Sequence, residues 1–251
     1  MYIDVKLSQQ LNVRETSNNR LIVVIDILRA TSTIVSALSN GCEEVIPASG
    51  VEEALAIASL YNKEDYVLGG ERKGEKVDGF ECGNSPCEYS EEKISGKKLI
   101  MTTTNGTSTI KDFKEHKDVL IASFLNAQAT INACKETKKD ILLVCSGQNG
   151  VFAIEDALFA GLMVDMLVCE EDVILSDSAK AVMYINKQCG RDIFNTLKST
   201  DHGSYLCQIG YEKDVSDCSK ISTIDLVAKL SNGRIMKSDR KPNETLSGGI
   251  V

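Results

Sequence analysis

Asp26 and Arg29 follow a run of aliphatics in LIVVIDILRATSTI, where a strand gives way to a helix. A carboxylate has no packing reason to end such a run, so Asp26 reads as a group that binds a metal or handles water. Arg29 carries a planar fork that matches a phosphate or carboxylate. It can equally pair with Asp26, and the residues alone leave both readings open. Thr31 or Ser32 can cap the helix that follows. Ligands of open α/β sheets bind just beyond the strand ends, and helix N-termini attract anions.

Three more segments carry the same kind of chemistry. LGGERKGEKVDGFECGNSPCEYS, from Leu68 to Ser90, sets Glu71, Arg72 and Lys73 after a flexible Gly-Gly, then offers Asn84 and Ser85 in a turn. It reads as a long loop between strands, and such loops in compact domains tend to be functional. MTTTNGTST supplies Thr103, Thr104, Asn105, Gly106 and Thr107 at a strand-to-helix turn, a neutral cradle for an anion. In CSGQNGVFAIEDALFAG, Ser146-Gly147 breaks a strand, and Glu155-Asp156 falls in a first helical turn. The helix dipole alone favours acids there, by ~0.3–1 kcal/mol. Neighbouring helical residues do not share a face, so one of the pair should point at the site, and Asp156 is the preferred one. Of the two histidines, His116 in KEHKD reads as a solvated helix end. His202, beside Asp201, is the candidate imidazole acid or base.

Several mechanisms are excluded. Gly69 to Gly74 is followed by Glu75, not by the lysine of a phosphate loop. No cysteine has an arginine six positions on, Asp26-Ile27-Leu28 lacks the second aspartate of a D-x-D phosphatase, and there is no G-x-S-x-G elbow. Carboxylate-bound metal plus arginines is the remaining route to phosphate cleavage. With 28 basic and 36 acidic residues the net charge is −8, so neither nucleic acid nor an anionic membrane is an expected partner. An anionic substrate needs a local cluster of cations, a bound metal, or both.

The elements that must position these groups alternate. Leu21–Ile25, Glu44–Pro47, Tyr66–Leu68, Lys98–Met101, Val119–Ala122 and Ile141–Cys145 read as buried strands. Thr31–Ser39, Val51–Leu60, Thr107–Phe113, Asn126–Glu136, Ile154–Val168 and Asp177–Gln188 read as helices. The pattern predicts a single α/β domain over residues 1–251, a three-layer α/β/α with a largely parallel or mixed sheet. The tetrapeptide Thr31–Ile34 recurs as Thr107–Ile110, an offset of 76 that aligns 20–75 with 96–151. A duplicated β-α-β-α-β unit and coincidence are the two readings of that spacing. No secretory leader or membrane span is evident, and nine scattered cysteines without a C-x-x-C pair, Cys169 among them, point to a reducing cytoplasm.

In order, VVIDILRATSTIVSAL, LGGERKGEKVDGFECGNSPCEYS, MTTTNGTSTI, ASFLNA, CSGQNGVFAIEDALFAG and the isolated DHG resemble the 2-phosphosulfolactate phosphatase family, over roughly residues 20–215. The resemblance implies an α/β fold of its own kind. It also implies Mg²⁺-dependent hydrolysis of 2-phosphosulfolactate to sulfolactate and phosphate, a step of coenzyme M biosynthesis. Cys82, Cys87 and Cys145 stand where small or apolar residues are expected, and the chain beyond about residue 218 carries no matching motif. On this reading Asp26, Glu71 and Asp156 hold Mg²⁺. Arg29, Arg72, Lys73 and the Thr103–Thr107 turn, with Asn84, Ser85, Ser146 and Gly147, meet a small phospho-/sulfo-acid. His202 or Asp201 protonates the leaving oxygen. Two rivals stay open: a phosphatase or lyase for another phospho-hydroxy acid, and a non-catalytic sensor of small anions. A homo-oligomer is compatible with all of them.

Overall fold

The computed structural model describes residues 1–8, 19–168 and 173–238. The strands are β1 Tyr2–Lys6, β2 Leu21–Ile25, β3 Glu44–Pro47, β4 Tyr66–Arg72, β5 Glu75–Lys76, β6 Lys98–Thr102, β7 Val119–Ala122, β8 Ile141–Cys145, β9 Ile174–Leu175, β10 Ala228–Ser231 and β11 Arg234–Lys237. The helices are α1 Ala30–Ser39, α2 Val51–Ala58, α3 Glu91–Ile94, α4 Gly106–Asp112, α5 Ala127–Thr137, α6 Ile154–Leu167, α7 Asp177–Cys189, α8 Ile193–Ser199, α9 Asp201–Gln208 and α10 Glu212–Cys218. β2 and β8 are buried at every residue, as strands covered on both faces must be, and their unbroken aliphatic runs reflect it.

These strands form one ladder in the order β5-β4-β6-β3-β11-β10-β7-β2-β8-β1-β9. It contains two parallel blocks, β4-β6-β3 and β7-β2-β8-β1-β9. The β10–β11 hairpin lies between them and pairs antiparallel on both sides. Asn232 and Gly233 close that hairpin with φ of 51° and 75°, the two positive values that a tight two-residue turn requires. The segments 20–75 and 96–151 exchange strands: β6 runs between β4 and β3, and β2 between β7 and β8.

Three antiparallel pairings separate the blocks, so a flat ladder would send the carboxyl ends of β2 and β6 to opposite edges. Twist of about 20–25° at each of the five steps between them turns the blocks by roughly 100–125°, and the two ends meet. The inner faces of both blocks share one core with α1 and α4, including Ile22, Val24, Ile34, Leu99, Met101 and Ile110. The outer face of one block packs under α5, α6 and α7 through Val23, Ile131, Phe159 and Val182. α2 covers the outer face of the other, where Ala54 meets Ile46 and Ile100. The result is the mixed three-layer α/β fold.

The segment after Leu68 is more ordered than a long loop. β4 continues to Arg72, and Lys73-Gly74 turns it back into β5, with φ of 53° and 80°. The eight described cysteines are free; Cys169 lies outside the described residues. Among those residues no helix is long and apolar enough to cross a membrane.

Candidate active site

The carboxyl ends of β2, β4 and β6 open on a cavity of about 300 Å³. On the β2 side stands Asp26, 7% exposed, whose Oδ1 accepts from the Ala30 N–H at 3.1 Å. The aspartate itself therefore serves the first turn of α1. Thr31 instead turns its hydroxyl back onto Asp26, accepting from its N–H and donating to its carbonyl. Asp26 borders the cavity, and its Oδ2 has no hydrogen-bond donor among the described residues.

Arg29 is 2% exposed and does not pair with Asp26. Its Nη1 donates to Asp214 Oδ2 at 2.6 Å, its Nη2 to the Gly74 carbonyl at 2.6 Å, and its guanidinium lies 4.2 Å from the Tyr211 ring centroid. Asp214 and Tyr211, at the start of α10, come from a region whose sequence raised no functional expectation.

The β4–β5 hairpin forms the second wall. Glu71 Oε2 accepts from the Gly74 N–H at 2.8 Å and Oε1 from the Thr104 N–H at 2.7 Å, which ties the hairpin to the turn after β6. Successive residues of a strand point to opposite faces, so Arg72 cannot follow Glu71 into the cavity. It donates to the Glu71 carbonyl at 2.6 Å and to Thr102 Oγ1 at 2.9 Å. Lys73, at the hairpin tip, does border the cavity.

Thr103, Thr104 and Asn105 form the third wall. Thr103 and Thr107 exchange bonds, each hydroxyl accepting from the other's N–H at 3.1 Å, which makes Thr107 a brace for the turn. Asn105 Oδ1 accepts from the Asn149 N–H at 3.0 Å, and its amide N–H₂ has no partner among the described residues. Opposite, Gln148 Nε2 lies 2.9 Å from His202 Nδ1, and the imidazole stacks on Tyr205. An amide N–H₂ can only donate, so Nδ1 accepts and the ring proton sits on Nε2, where it meets the Leu28 carbonyl.

The cavity thus gathers Asp26, Arg29, Glu71, Lys73, Asn84, Thr103, Thr104, Asn105 and His202, and adds Leu28, Gly74, Gln148, Asn149 and Tyr205. The sequence signals for Gln148 and Asn149 were the strand-breaking glycines around them. Ser85, Gly106, Thr107, Ser146, Gly147, Asp156 and Asp201 stand behind or beside its walls. Ser85 Oγ donates to Asp214 Oδ1 at 2.7 Å. Asp156 accepts from the Ile27 N–H at 2.8 Å and the Gly147 N–H at 3.0 Å, pinning the ends of β2 and β8 together. Asp201 is an exposed residue in the first turn of α9.

Buried acids crowd this end of the sheet. Burial, with Glu71 and Glu155 nearby, pushes the Asp26 carboxyl up to about 7, against the pull of the Ala30 N–H and Arg29. Asp156 is raised as well, by burial first and then by Asp26 and Glu155. Burial raises Glu155, although the Thr200 hydroxyl bonds it. His202 is lowered by burial and by Arg29, which keeps the imidazole neutral. Among the described residues no three Asp, Glu, His or Cys side chains converge as a ready-made metal cage.

A family sequence model described as 2-phosphosulpholactate phosphatase matches residues 7–233. The chain is 40% identical over 237 residues to a probable 2-phosphosulfolactate phosphatase of Clostridium acetobutylicum, covering 94% of this chain and all of that one. A protein of the same description from Clostridium perfringens is also 40% identical, over 94% of this chain and 96% of its own length. One from Caldanaerobacter subterraneus is 38% identical, over 86% and 90%.

Proposed function

Because this chain belongs to the 2-phosphosulfolactate phosphatase family, we propose that it hydrolyses 2-phosphosulfolactate to sulfolactate and inorganic phosphate with Mg²⁺, a coenzyme M biosynthesis-type step. The observation that carries the reading is one cavity holding Asp26 and Glu71 together with Arg29 and Lys73. Cations suit an anionic substrate, whereas added carboxylates would only repel it unless they hold a metal. The same point disfavours a purely anion-binding sensor.

The donor set fits Mg²⁺. That ion takes one or two carboxylates and fills its octahedron with waters and substrate phosphate oxygens, so it needs no three-acid cage. Asp26 has an oxygen without a donor among the described residues, and its carboxyl is raised by burial first and by Glu71 and Glu155 second, both of which a bound cation would offset. Glu71 borders the same cavity. Asp156 stands behind the cavity wall, where it pins the ends of β2 and β8, whereas Asp26 and Glu71 both border the cavity, so we assign the metal to Asp26 and Glu71. When bound, Mg²⁺ supplies positive charge to offset what develops on the departing phosphoryl group.

The chain's own residues do the rest. Arg29 and Lys73 bind the phosphate, carboxylate and sulfonate charges, and the fork of Arg29 directs where one of these groups sits. The Asn105 amide N–H₂ and the Thr103–Thr104 wall complete the anion contacts. Of the two candidates for the leaving oxygen, only His202 borders the cavity. With Nδ1 taken by Gln148, the neutral ring assists by turning its Nε2–H from the Leu28 carbonyl to the leaving oxygen, while solvent supplies the proton.

Hydrolysis in ¹⁸O-water tests the reaction type. Phosphatase chemistry breaks the P–O bond and places one ¹⁸O in the released phosphate. Elimination, the lyase alternative, releases unlabelled phosphate and an unsaturated acid. A preference for 2-phosphosulfolactate over 2-phospholactate and 3-phosphoglycerate supports the substrate; the reverse order rejects it.

A further inference from the structure

Asp214 lies in α10, in the sequence EKDVSDC, 185 residues from Arg29. It is 3% exposed, and a buried carboxylate is retained only where its charge and lone pairs are answered. One oxygen is answered by a residue of the cavity wall and the other by a residue just behind it. Oδ2 takes Arg29 Nη1 at 2.6 Å, and Oδ1 takes Ser85 Oγ at 2.7 Å. With the Gly74 carbonyl on Nη2 and the Tyr211 ring against its face, the Arg29 fork is held from three directions.

Ser85 is joined to Asn84, which borders the cavity. Asn84 Oδ1 is buried without a partner, and its backbone carbonyl is held separately by Thr33 Oγ1 at 2.8 Å. Such a buried amide does not select its own position, and its neighbours must fix it.

We infer that Asp214 is a positioning residue: its single carboxylate aims the Arg29 fork and, through Ser85, sets the Asn84 amide on the wall of the same cavity. The inference rests on the reading of that cavity as a phosphoanion site. Its chemical consequence is geometric. The Arg29 charge is largely balanced by Asp214, so Arg29 acts on the substrate through the direction of its remaining N–H donors, and misdirection costs more than lost charge would.

The test uses Asp214→Asn, Ser85→Ala and the double variant, all in the full chain, with melting temperature to confirm folding. Two readouts are taken: kcat and KM for phosphate release from 2-phosphosulfolactate with Mg²⁺, and calorimetric binding of inorganic phosphate with Mg²⁺. Asp214→Asn should lower kcat/KM by about 10–100-fold and Ser85→Ala by about 3–10-fold, the scale of a lost hydrogen bond to a charged group. Adding Ser85→Ala to Asp214→Asn should change it by less than about twofold, since both act through one carboxylate. Phosphate binding should weaken in the same order.

If Asp214→Asn does not fold, Ser85→Ala decides alone, because it removes one hydroxyl and leaves the ion pair. Variants that melt earlier but keep kcat, KM and phosphate affinity would reduce Asp214 to a stability role and overturn the inference. Should the wild type release no phosphate, the functional reading fails. Weakened phosphate binding in the variants would then still carry the positioning role, and unchanged binding would overturn it.

Discussion

A Cβ at position 106 would lie 2.6 Å from Asp26 Oδ2 and 2.4 Å from Ala30 Cβ. The start of α4 therefore rests against the Asp26 carboxylate only because Gly106 has no side chain. Gly106→Ala must push the two strand ends apart. Overpacking of this kind costs about 1–3 kcal/mol in stability, and a displacement near 1 Å at the site costs about 10²-fold in turnover. Denaturant melts and kcat together check this; normal turnover would show that the contact does not define the site.

Asp26 and Asp156 are both buried, yet they should behave differently. Asp156→Asn sets an amide N–H₂ against a backbone N–H of Ile27 or Gly147, and should cost about 1–3 kcal/mol of stability. Asp26→Asn keeps an acceptor for Ala30 and removes a carboxyl whose ionisation burial opposes. It should retain or raise the melting temperature while turnover falls by about 10²-fold or more. Equal stability losses in the two variants would contradict this division.

Arg72 and Lys73 are neighbours in sequence with opposite placements. Lys73→Ala should raise KM for a phospho-acid, by about 2–5-fold for one exposed cation. Arg72→Ala loses bonds to the Glu71 carbonyl and Thr102, and should act mainly on stability. Steady-state kinetics beside thermal melts separate the two.

His202 gives a pH dependence with a definite sign. Its folded pKa lies below the ordinary histidine value, because burial and Arg29 disfavour the cation. Its contribution to stability is thus full above the unfolded pKa of about 6.5 and is lost as pH falls from there toward the lower folded value. The melting temperature of the wild type should drop more steeply between pH 7.5 and 5.5 than that of His202→Gln. Parallel slopes would mean that the imidazole is not held neutral.

Much of this site was legible in the sequence because strand ends announce themselves. Asp26 interrupts an aliphatic run, and the glycines at 69, 70, 106 and 147 mark close approaches of backbone. Arg72 was misleading because composition alone ignores the alternation of a strand, and β4 runs on past Leu68. Asp214 gave no local signal: it is one acid in a polar helix, and its partners Arg29 and Ser85 are distant in the chain. The C-terminal hairpin did carry one, the Asn232-Gly233 dipeptide between two short apolar stretches. Its place in the middle of the sheet follows from pairings with β7 and β3 that no local pattern encodes.

The central claim is that the Asp26 cavity performs Mg²⁺-dependent hydrolysis of a phosphoester. The most direct measurement is phosphate release from 2-phosphosulfolactate by wild type and Asp26→Ala, each with Mg²⁺ and with excess chelator. The account predicts release by wild type with Mg²⁺ alone, with the variant folded but inactive in both conditions. Equal release in chelator, or turnover by the variant at the wild-type rate, would contradict it.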